Sequence, residues 1–249
     1  MNETTRPQTV LITGSAVRVG RAIALELGRL GYSVAVHYNS SHDEAEQTVA
    51  EIRDLGGTAQ PFGGDLSQPV ETARELSQAV RGELGSLDVL INSASLFEEG
   101  TLLQTTEEMW NRQFVVNLQA PFFLSQEFVR GLKPDQKGHI INICDWRGEE
   151  HPPGHDAYTL TKSGLVAMTR MLAKELAPRI RVNGIHPGAV LAPPDADEDH
   201  DRRAKQTIPL NRTGSPEDIV RGVVYLLESE FVTGEILKIT GGEHLHAPH

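Results

Sequence analysis

Short apolar runs alternate along the chain with longer segments in which apolar residues recur every three or four positions. The short runs are rich in Val, Ile and Leu, which is typical of strands buried on both faces of a parallel sheet. The longer segments have the spacing of helices that bury one face. The pattern predicts seven strands, at Thr9–Thr13, Ser33–His37, Ala59–Gly63, Asp88–Asn92, Gly138–Ile143, Arg181–His186 and Ile236–Ile239. It predicts six helices between them, at Val19–Leu30, Asp43–Leu55, Pro69–Leu84, Thr105–Leu132, Ala157–Leu176 and Pro216–Glu228.

This regular alternation of strand and helix predicts consecutive βαβ units. Because such crossovers are right-handed, the units build a doubly wound Rossmann-type α/β fold with a mostly parallel seven-stranded sheet flanked by helices. No repeat or Pro/Gly-rich linker divides the chain, so we expect residues 1–249 to form a single domain. The one shift in composition is the acidic stretch Pro193–Arg203. It predicts either a solvated loop or a lid over the substrate.

Composition and charge restrict the partners that the protein can have. Lys and Arg number 23 and Asp and Glu 34, which gives a formal net charge of −11 and disfavours nucleic acid as a partner. The single cysteine, Cys144, excludes an intrachain disulfide and fits a reducing compartment. The chain has no signal-peptide pattern and no apolar run of about 18 residues that would span a membrane. We therefore expect a cytoplasmic protein that binds a small molecule, without a membrane partner.

A glycine-containing loop joins the first predicted strand to the first predicted helix. It reads Thr13-Gly14-Ser15-Ala16-Val17-Arg18-Val19-Gly20. Gly14 permits the tight turn, and Gly20 permits close packing of the helix on the sheet. The helix N-terminus then offers backbone N–H groups and the positive end of its dipole to a pyrophosphate. The loop predicts a dinucleotide site that includes Gly14, Arg18, Val19 and Gly20.

The end of the second strand distinguishes between NAD and NADP. NAD enzymes usually place an acid there, which binds the ribose 2′-hydroxyl. Here the strand ends in His37-Tyr38-Asn39-Ser40-Ser41, with no carboxylate before Asp43. Arg18 can supply positive charge to a 2′-phosphate, and its alternative role is that of a solvent-facing residue at the helix start. The missing acid and the added arginine both favour NADPH, and we expect it to contact His37, Tyr38, Asn39, Ser40 and Ser41.

Polar residues also follow the third and fourth strands. Gly64-Asp65-Leu66 follows the third strand, where a carboxylate can accept a hydrogen bond from an adenine amino group. Asn92-Ser93-Ala94-Ser95 follows the fourth strand, at the carboxyl edge where open sheets bind ligands. Asp, Asn and Ser are also common turn residues, which is the alternative interpretation of both segments. We expect Asp65, Leu66 and residues 92–94 to contact the dinucleotide.

A tyrosine and a lysine lie four residues apart in a predicted helix. This spacing places Tyr158 and Lys162 on one helix face. An ammonium near a phenol favours the phenolate, so we expect Lys162 to lower the pKa of Tyr158 and make it a proton donor or acceptor near neutrality. Asn117, on the helix before the fifth strand, could hold a water that links Lys162 to solvent. These three residues predict acid–base catalysis.

Along nearly its full length the chain resembles the short-chain dehydrogenases and reductases. The matching features are TGSAVRVG, NSAS, Asn117, YTLTK, the Pro187-Gly188 turn and VTGEILKITGG. The resemblance implies that Tyr158 is the proton donor and that Lys162 binds the nicotinamide ribose. It also implies that Pro187 and Gly188 lie against the cofactor and that the protein is a homotetramer.

One residue departs from the pattern of this family. Most members carry a serine 13 residues before the catalytic tyrosine, and here that position is Asp145. A carboxylate facing a developing oxyanion would be repulsive, so an ordinary ketone substrate fits poorly. A heterocycle with ring N–H and amino groups fits better, as does a proton relay with Tyr158. An aspartate that only forms the following turn is the alternative.

The departure resembles one branch of the family, the pteridine reductases. Asp145, Arg18, the HYNSS strand end and Phe97 all resemble that branch, in which the phenylalanine stacks the pterin against the nicotinamide. Ser40, however, stands where some relatives carry a further arginine near the 2′-phosphate. Phe97 could instead be a core aromatic residue. The substrate-binding residues expected from the resemblance are Ser95, Phe97, Asp145 and Tyr158.

The resemblance implies hydride transfer from NADPH to a pterin or dihydropteridine, with dihydrofolate as a further candidate. The first alternative is a carbonyl reductase of the same family that acts on an oxoacyl thioester or a ketone, and Asp145 argues against it. The second is a non-catalytic NADP(H) sensor, which would not need the intact set of Asn117, Tyr158 and Lys162.

Four remaining residues carry weaker signals. Cys144 should face away from Asp145 and belong to the core. His244, His246 and His249 are expected to belong to a loose tail and not to a metal site, because no carboxylate or cysteine framework accompanies them. We expect no metal.

Overall fold

The computed structural model describes residues 8–191 and 205–246. The acidic stretch Pro193–Arg203 and His249 lie outside the described residues. Within the described part, no helix combines the length and the apolar content that crossing a membrane requires.

Seven strands form one sheet in which every pairing is parallel. They are β1 (Thr9–Ile12), β2 (Ser33–Tyr38), β3 (Thr58–Gly63), β4 (Val89–Asn92), β5 (Gly138–Ile143), β6 (Ile180–Pro187) and β7 (Ile236–Ile239). The order across the sheet is β3-β2-β1-β4-β5-β6-β7. The direction of winding reverses between β1 and β4, so the crevice for a ligand opens at the carboxyl ends of these two strands. The predicted doubly wound fold is confirmed.

Eight α-helices are described. They are α1 (Arg18–Arg29), α2 (His42–Asp54), α3 (Pro69–Leu84), α4 (Glu107–Phe114), α5 (Ala120–Arg130), α6 (Arg147–Glu150), α7 (Asp156–Leu176) and α8 (Pro216–Glu228). A π-helical turn, Val115–Gln119, joins α4 to α5, and a 3₁₀ turn, Glu243–His246, follows β7.

The strands are apolar at nearly every position because both faces of the sheet are covered. Leu11 of β1 and Leu90 of β4 face a core shared with α3, α5 and α7. Their neighbours Val10 and Ile91 face a second core shared with α1, α2 and α8. Successive side chains of a strand point to opposite faces, so the two cores together account for the unbroken apolar runs.

The predicted helix Thr105–Leu132 is wrong in one respect, because the structure divides it into α4, the π-helical turn and α5. Pro121 lies in the first turn of α5 and has no backbone N–H to donate to a regular helical ladder. The π-helical turn directly precedes this residue and contains Asn117. The irregularity therefore falls at a predicted catalytic residue, where π-turns are often found.

Candidate active site

Both glycines of the first loop make contacts that a side chain would prevent. A Cβ atom on Gly14, where φ is +65°, would lie 3.0 Å from Cα of Ala94. On Gly20 it would lie 2.4 Å from the carbonyl oxygen of Gly14. No side chain caps the N-terminus of α1, and its first turn holds no acidic residue. The start of α1 therefore has neither a side-chain cap nor a negative charge, which fits a pyrophosphate bound there.

Arg18 begins α1 in an unusual backbone conformation. Its φ is +55°, in the left-handed region that favours glycine, and its side chain is exposed. The guanidinium donates to the carbonyl oxygen of Leu191, 3.3 Å away. A strained non-glycine residue is retained where the surroundings or the function require it. The structure thus places a cation at the exposed edge of the loop between β1 and α1.

His37 does not occupy the position that the sequence suggested for it. The residue is 1% exposed, and its Nδ1 accepts from the backbone N–H of Gly14 at 3.1 Å. Its Nε2 lies 3.1 Å from the carbonyl oxygen of Gly64, so Nε2 carries the proton. Burial lowers the pKa of His37 to about 4. The prediction that His37 contacts the cofactor directly is corrected. Both of its ring nitrogens bond to backbone groups and join the loop after β1 to the loop after β3.

Two further predicted cofactor residues are also internal. The side chain of Leu66 packs in the core that the sheet shares with α3, α5 and α7. Asn92 is 2% exposed and donates from Nδ2 to Oδ1 of Asn142, 2.8 Å away. These side chains support the loops, and only the backbone of Leu66 and Asn92 is left to meet a ligand.

The other predicted cofactor residues lie at the carboxyl edge of the sheet. Asn39 and Ser40 are exposed beyond β2, while Val19, Tyr38, Ser41, Ser93, Ala94, Pro187 and Gly188 are half-buried. Asp65 is exposed, and its carboxylate accepts from the backbone N–H and hydroxyl of Ser67, which lowers its pKa. The sequence analysis missed Thr13, whose hydroxyl oxygen accepts from the N–H groups of Ser93 and Ala94 and joins the loops after β1 and β4.

The predicted catalytic pair of Asp145 and Tyr158 is in direct contact. Asp145 follows β5, and Tyr158 lies in the first turn of α7. The tyrosine hydroxyl donates to Oδ2 of Asp145 at 2.8 Å, and Tyr158 is 5% exposed. The separation of 13 residues in sequence therefore corresponds to one hydrogen bond between a strand end and a helix start.

The prediction that Lys162 lowers the pKa of Tyr158 is wrong. Burial raises the pKa of Tyr158 well above its usual value, and the charge and hydrogen bond of Asp145 raise it further. Lys162 donates from Nζ to the carbonyl oxygen of Ile143 at 3.0 Å and lies 5.5 Å from the centroid of the tyrosine ring. Burial also lowers the pKa of Lys162. Tyr158 therefore keeps its proton at neutral pH and is equipped as a donor.

Asn117 positions the loop that follows β4. Its Oδ1 accepts from the backbone N–H of Leu96 at 2.7 Å and from the hydroxyl of Ser95 at 3.2 Å. Its Nδ2 donates to the carbonyl oxygen of Leu96 at 2.8 Å and to the hydroxyl of Thr161 at 3.3 Å. The amide thus uses both donors and both acceptors, so the side chain does not hold the predicted water.

Phe97 forms a wall of the cleft, and the alternative that it is a core residue is wrong. Its side chain is 47% exposed. The ring of His155 stacks on it at 4.2 Å between centroids, and Tyr158 contacts it edge-on at 4.7 Å. The two loops that carry these rings are joined by a hydrogen bond from Gly100 N to the carbonyl oxygen of Gly154, 2.9 Å long. The aromatic wall is therefore held by both the loop after β4 and the loop before α7.

Two charged residues of the site were missed from the sequence. The Arg147 guanidinium lies 3.5 Å from Oδ1 of Asp145 and 4.7 Å from the centroid of the Trp146 ring. Glu243, in the turn after β7, accepts from the N–H of Ala189 at 2.8 Å, and burial raises its pKa. The position of Arg147 two residues after Asp145 was a signal that could have been used. Nothing in the sequence connects Glu243 to the site.

The C-terminal histidines differ in part from the expected loose tail. His244 lies in the 3₁₀ turn, and its Nδ1 is 2.7 Å from the hydroxyl of Thr240. His246 ends that turn, whereas His249 lies outside the described residues. Among the residues that the structure describes, no three His, Cys, Asp or Glu side chains are grouped as ligands of a metal. Cys144 is buried, as predicted, and burial raises the pKa of its thiol to about 12.

Comparison with known proteins gives consistent matches over almost the whole chain. The family model described as short chain dehydrogenase matches residues 8–203. The 3-oxoacyl-[acyl-carrier-protein] reductase FabG of Staphylococcus epidermidis is 32% identical over 244 residues, which are 96% of this chain and 99% of that protein.

Two similar solved structures are of FolM alternative dihydrofolate reductase 1 with NADP. The Brucella canis protein is 38% identical with a TM-score of 0.89, covering 96% of this chain and 94% of the other. The Brucella suis protein is 37% identical with a TM-score of 0.92, covering 97% of each chain.

Proposed function

The chain belongs to the short-chain dehydrogenase family, and on that premise we propose that it reduces a pterin or dihydropteridine with NADPH. Dihydrofolate is included among the candidate substrates. The observation that carries the proposal is the hydrogen bond from Tyr158 to Asp145, at the position where most members of the family have a serine. The similarity to the two FolM alternative dihydrofolate reductases supports it.

NADPH is the cofactor of this proposal, as in the solved relatives crystallised with NADP. The loop with Gly14 and Gly20 would hold the pyrophosphate, and Arg18 with the exposed Ser40 would meet the 2′-phosphate. Lys162, Pro187 and the Asn92-Ser93-Ala94 segment would line the nicotinamide end. When bound, the reduced nicotinamide supplies the hydride.

The residues of the chain supply the proton and the orientation. Reduction of a C=N bond needs a hydride at carbon and a proton at nitrogen, and the Tyr158 hydroxyl is the donor nearest Asp145. Asp145 accepts a hydrogen bond from an N–H or amino group of the heterocycle and so orients the ring. Phe97 offers an exposed aromatic surface against which a flat bicyclic substrate stacks. Because its pKa is raised, the Tyr158 hydroxyl is protonated at neutral pH.

The alternative is reduction of an oxoacyl thioester, which the 32% identity to FabG favours. A ketone develops negative charge on oxygen as the hydride arrives, and a neutral donor stabilises this charge. A carboxylate at Asp145 would oppose it. Charge at one position therefore separates the two substrate classes.

A steady-state screen tests the proposal. We expect NADPH oxidation by the wild-type protein to have a kcat/KM for dihydrobiopterin or dihydrofolate at least about tenfold above that for ethyl acetoacetate, because a mismatched charge at the reacting group costs more than 1.4 kcal/mol. Faster reduction of the ketoester would replace this proposal with the carbonyl reductase.

The proposal includes a homotetramer, the assembly implied by the resemblance. Large apolar side chains are exposed on the outer helices, with Phe122 of α5 at 39%, Leu160 of α7 at 48% and Met171 of α7 at 50%. Light scattering should give four times the chain mass of 27.3 kDa.

A further inference from the structure

We infer that Arg147 is a positioning residue that holds the Asp145 carboxylate in place and directed at Tyr158. Through this role it selects substrates that donate hydrogen bonds over substrates that present a carbonyl oxygen. The inference deepens the proposed function and rests on it.

Arg147 contacts one oxygen of the carboxylate and leaves the other for catalysis. Its backbone N–H donates to Oδ1 of Asp145 at 2.8 Å, and its guanidinium nitrogen Nη1 lies 3.5 Å from the same oxygen. Oδ2 accepts from the hydroxyl of Tyr158 at 2.8 Å. The two oxygens of one carboxylate are therefore assigned to two different partners, and this fixes the plane of the group.

The guanidinium is itself held in place by aromatic rings. Its central carbon lies 4.7 Å from the centroid of Trp146 and 5.6 Å from that of Phe97. Trp146 is 5% exposed, so the guanidinium lies over a buried ring. Contacts of this kind over an aromatic face are favourable for a guanidinium. Arg147 thus joins the acid–base pair to the aromatic wall of the substrate site.

The backbone around Arg147 is equally restricted. Gly148 follows it in α6, and a Cβ atom there would lie 2.7 Å from the carbonyl carbon of Lys162. The N–H of Gly148 donates to the carbonyl oxygen of Asp145 at 3.0 Å. This close packing of α6 on α7 fixes the position of the Arg147 backbone, from which its side chain extends.

The other charged groups around Asp145 do not replace this cation. From α7, Lys162 interacts with the carboxylate through charge, but its ammonium donates to Ile143. From β6, burial lowers the pKa of His186, which therefore stays neutral at pH 7. From the turn after β7, Glu243 has a raised pKa because it is buried.

From α6 itself, Glu149 is already engaged with Lys238 at 3.1 Å and with Arg170. Its negative charge is therefore balanced by its own cations. Arg147 remains the cation in contact with Asp145.

The orientation of the Asp145 carboxylate decides which substrate the site accepts. A carboxylate is only an acceptor and serves an N–H group of the substrate. A ketone oxygen develops negative charge and is served by a neutral donor, like the serine of most family members. By holding the carboxylate at Tyr158, Arg147 favours substrates that donate hydrogen bonds.

The test compares Arg147→Met, which removes the charge but keeps a long side chain, with Arg147→Lys, which restores the charge. The kcat/KM for dihydrobiopterin and for ethyl acetoacetate is measured from pH 5 to pH 9. For Arg147→Met we expect at least a tenfold loss of kcat/KM with dihydrobiopterin at pH 7, because the carboxylate is no longer held at Tyr158. The ratio of ketoester to pterin activity should rise, and Arg147→Lys should recover most of the pterin activity.

A binding measurement gives a second readout. Binding of oxidised biopterin to the NADP⁺ complex, followed by fluorescence quenching, should weaken in Arg147→Met and recover in Arg147→Lys. Arg130→Met, on the exposed surface of α5 where Arg130 pairs with Glu127, is the matched control and should behave as the wild type. Unchanged NADPH affinity and melting temperature show that each variant is folded.

The outcomes separate the inference from the proposed function. If the wild-type protein does not reduce pterins, the proposed function fails, and a rise of ketoester reduction in Arg147→Met still supports the role of Arg147. If Arg147→Met keeps the wild-type kcat/KM for dihydrobiopterin and the wild-type substrate ratio, the role of Arg147 is refuted.

Discussion

The nucleotide half and the catalytic half of the cleft are held together by different kinds of contact. Around β1, β2 and β3 the loops are joined by neutral groups, namely the imidazole of His37 and the hydroxyls of Thr13 and Ser15. Around β5, β6 and β7 they are joined by charged groups. Asp145 contacts Arg147, and Glu149 contacts Arg170 and Lys238.

The ion cluster around Glu149 shows how strongly the catalytic half depends on charge. Burial alone would raise the pKa of Glu149, but hydrogen bonds from Arg170 and Lys238 outweigh it and bring the pKa to about 2. The carboxylate therefore stays ionised and links α6 to α7 and β7.

This difference indicates what each half contributes. In the nucleotide half the partners of the side chains are backbone groups, which many sequences of the same fold can supply. In the catalytic half several partners are other side chains, as in the contacts of Asp145 with Tyr158 and of Glu149 with Arg170 and Lys238, and these depend on this particular sequence. Changes in the first half should therefore alter cofactor affinity and stability, whereas changes in the second should alter chemistry and substrate choice.

The largest effect is expected at Tyr158. Tyr158→Phe removes the proton donor and should lower kcat by roughly 10²–10⁴-fold, as typical for a lost general acid. NADPH affinity, measured by fluorescence titration, should stay within about twofold, because the mutation breaks no nucleotide contact. Tyr225→Phe, on the exposed face of α8, is the control. If Tyr158→Phe retained most of its turnover, the catalytic half would be wrongly assigned.

In the nucleotide half, His37 should make stability depend on pH. Its pKa is about 4 in the folded protein and near 6.5 when unfolded, so the unfolded chain binds more protons between these values. Its contribution is complete above pH 6.5 and is lost as the pH falls to 4, by about 1.4 kcal/mol per pH unit and about 3 kcal/mol in all.

His37→Gln should remove this part of the pH dependence while an amide still donates and accepts. Denaturant unfolding from pH 7 to pH 4 measures the difference between the variant and the wild type. Identical slopes in the two proteins would show that His37 is not held as the neutral linker of the two loops.

Arg18 tests whether the nucleotide half also determines cofactor choice. Arg18→Gly should weaken NADPH binding by about 1.5–3 kcal/mol, the range for a charged hydrogen bond, and leave NADH binding unchanged. Arg21→Ala, about one helical turn further along α1, where Arg21 pairs with Glu51, provides a control. Equal losses for both cofactors in titrations would mean that Arg18 does not meet the 2′-phosphate.

The smallest effect is expected at Phe97. Phe97→Ala should raise the KM for dihydrobiopterin. The lost stacking corresponds to about 0.5–1.5 kcal/mol, and the lost buried area adds to this loss. The KM for ethyl acetoacetate should change little. Phe231→Ala, in the exposed turn after α8, is the control. An equal rise in KM for both substrates would indicate a general disturbance of the loop instead of stacking.

The fold was predictable because burial is encoded locally. Strand Gly138–Ile143 and helices Pro69–Leu84 and Pro216–Glu228 have the predicted bounds. In each of these segments the spacing of the apolar residues allows only a strand, or only a helix, to bury all of them. The catalytic spacing was also readable, since the end of β5 and the start of α7 must meet at the same edge of the sheet.

Other parts of the site depend on contacts that leave no local pattern. The spacing of Tyr158 and Lys162 gives a shared helix face, but it does not show that Lys162 reaches a strand carbonyl instead of the phenol. Helix α6 has four residues, too few for a periodicity that would have revealed Arg147. Glu243 is brought to the site only by the tertiary fold.

The central claim is that Asp145 commits the site to pterins, and its replacement by the serine of most family members tests this most directly. The measurement is kcat/KM for dihydrobiopterin and ethyl acetoacetate in the wild type and in Asp145→Ser, with NADPH affinity as the control. We predict a loss of roughly 10² or more with dihydrobiopterin, the effect of a lost acid–base group, and unchanged or faster ketoester reduction. Equal pterin reduction by the serine variant, or a wild-type preference for the ketoester, would contradict the account.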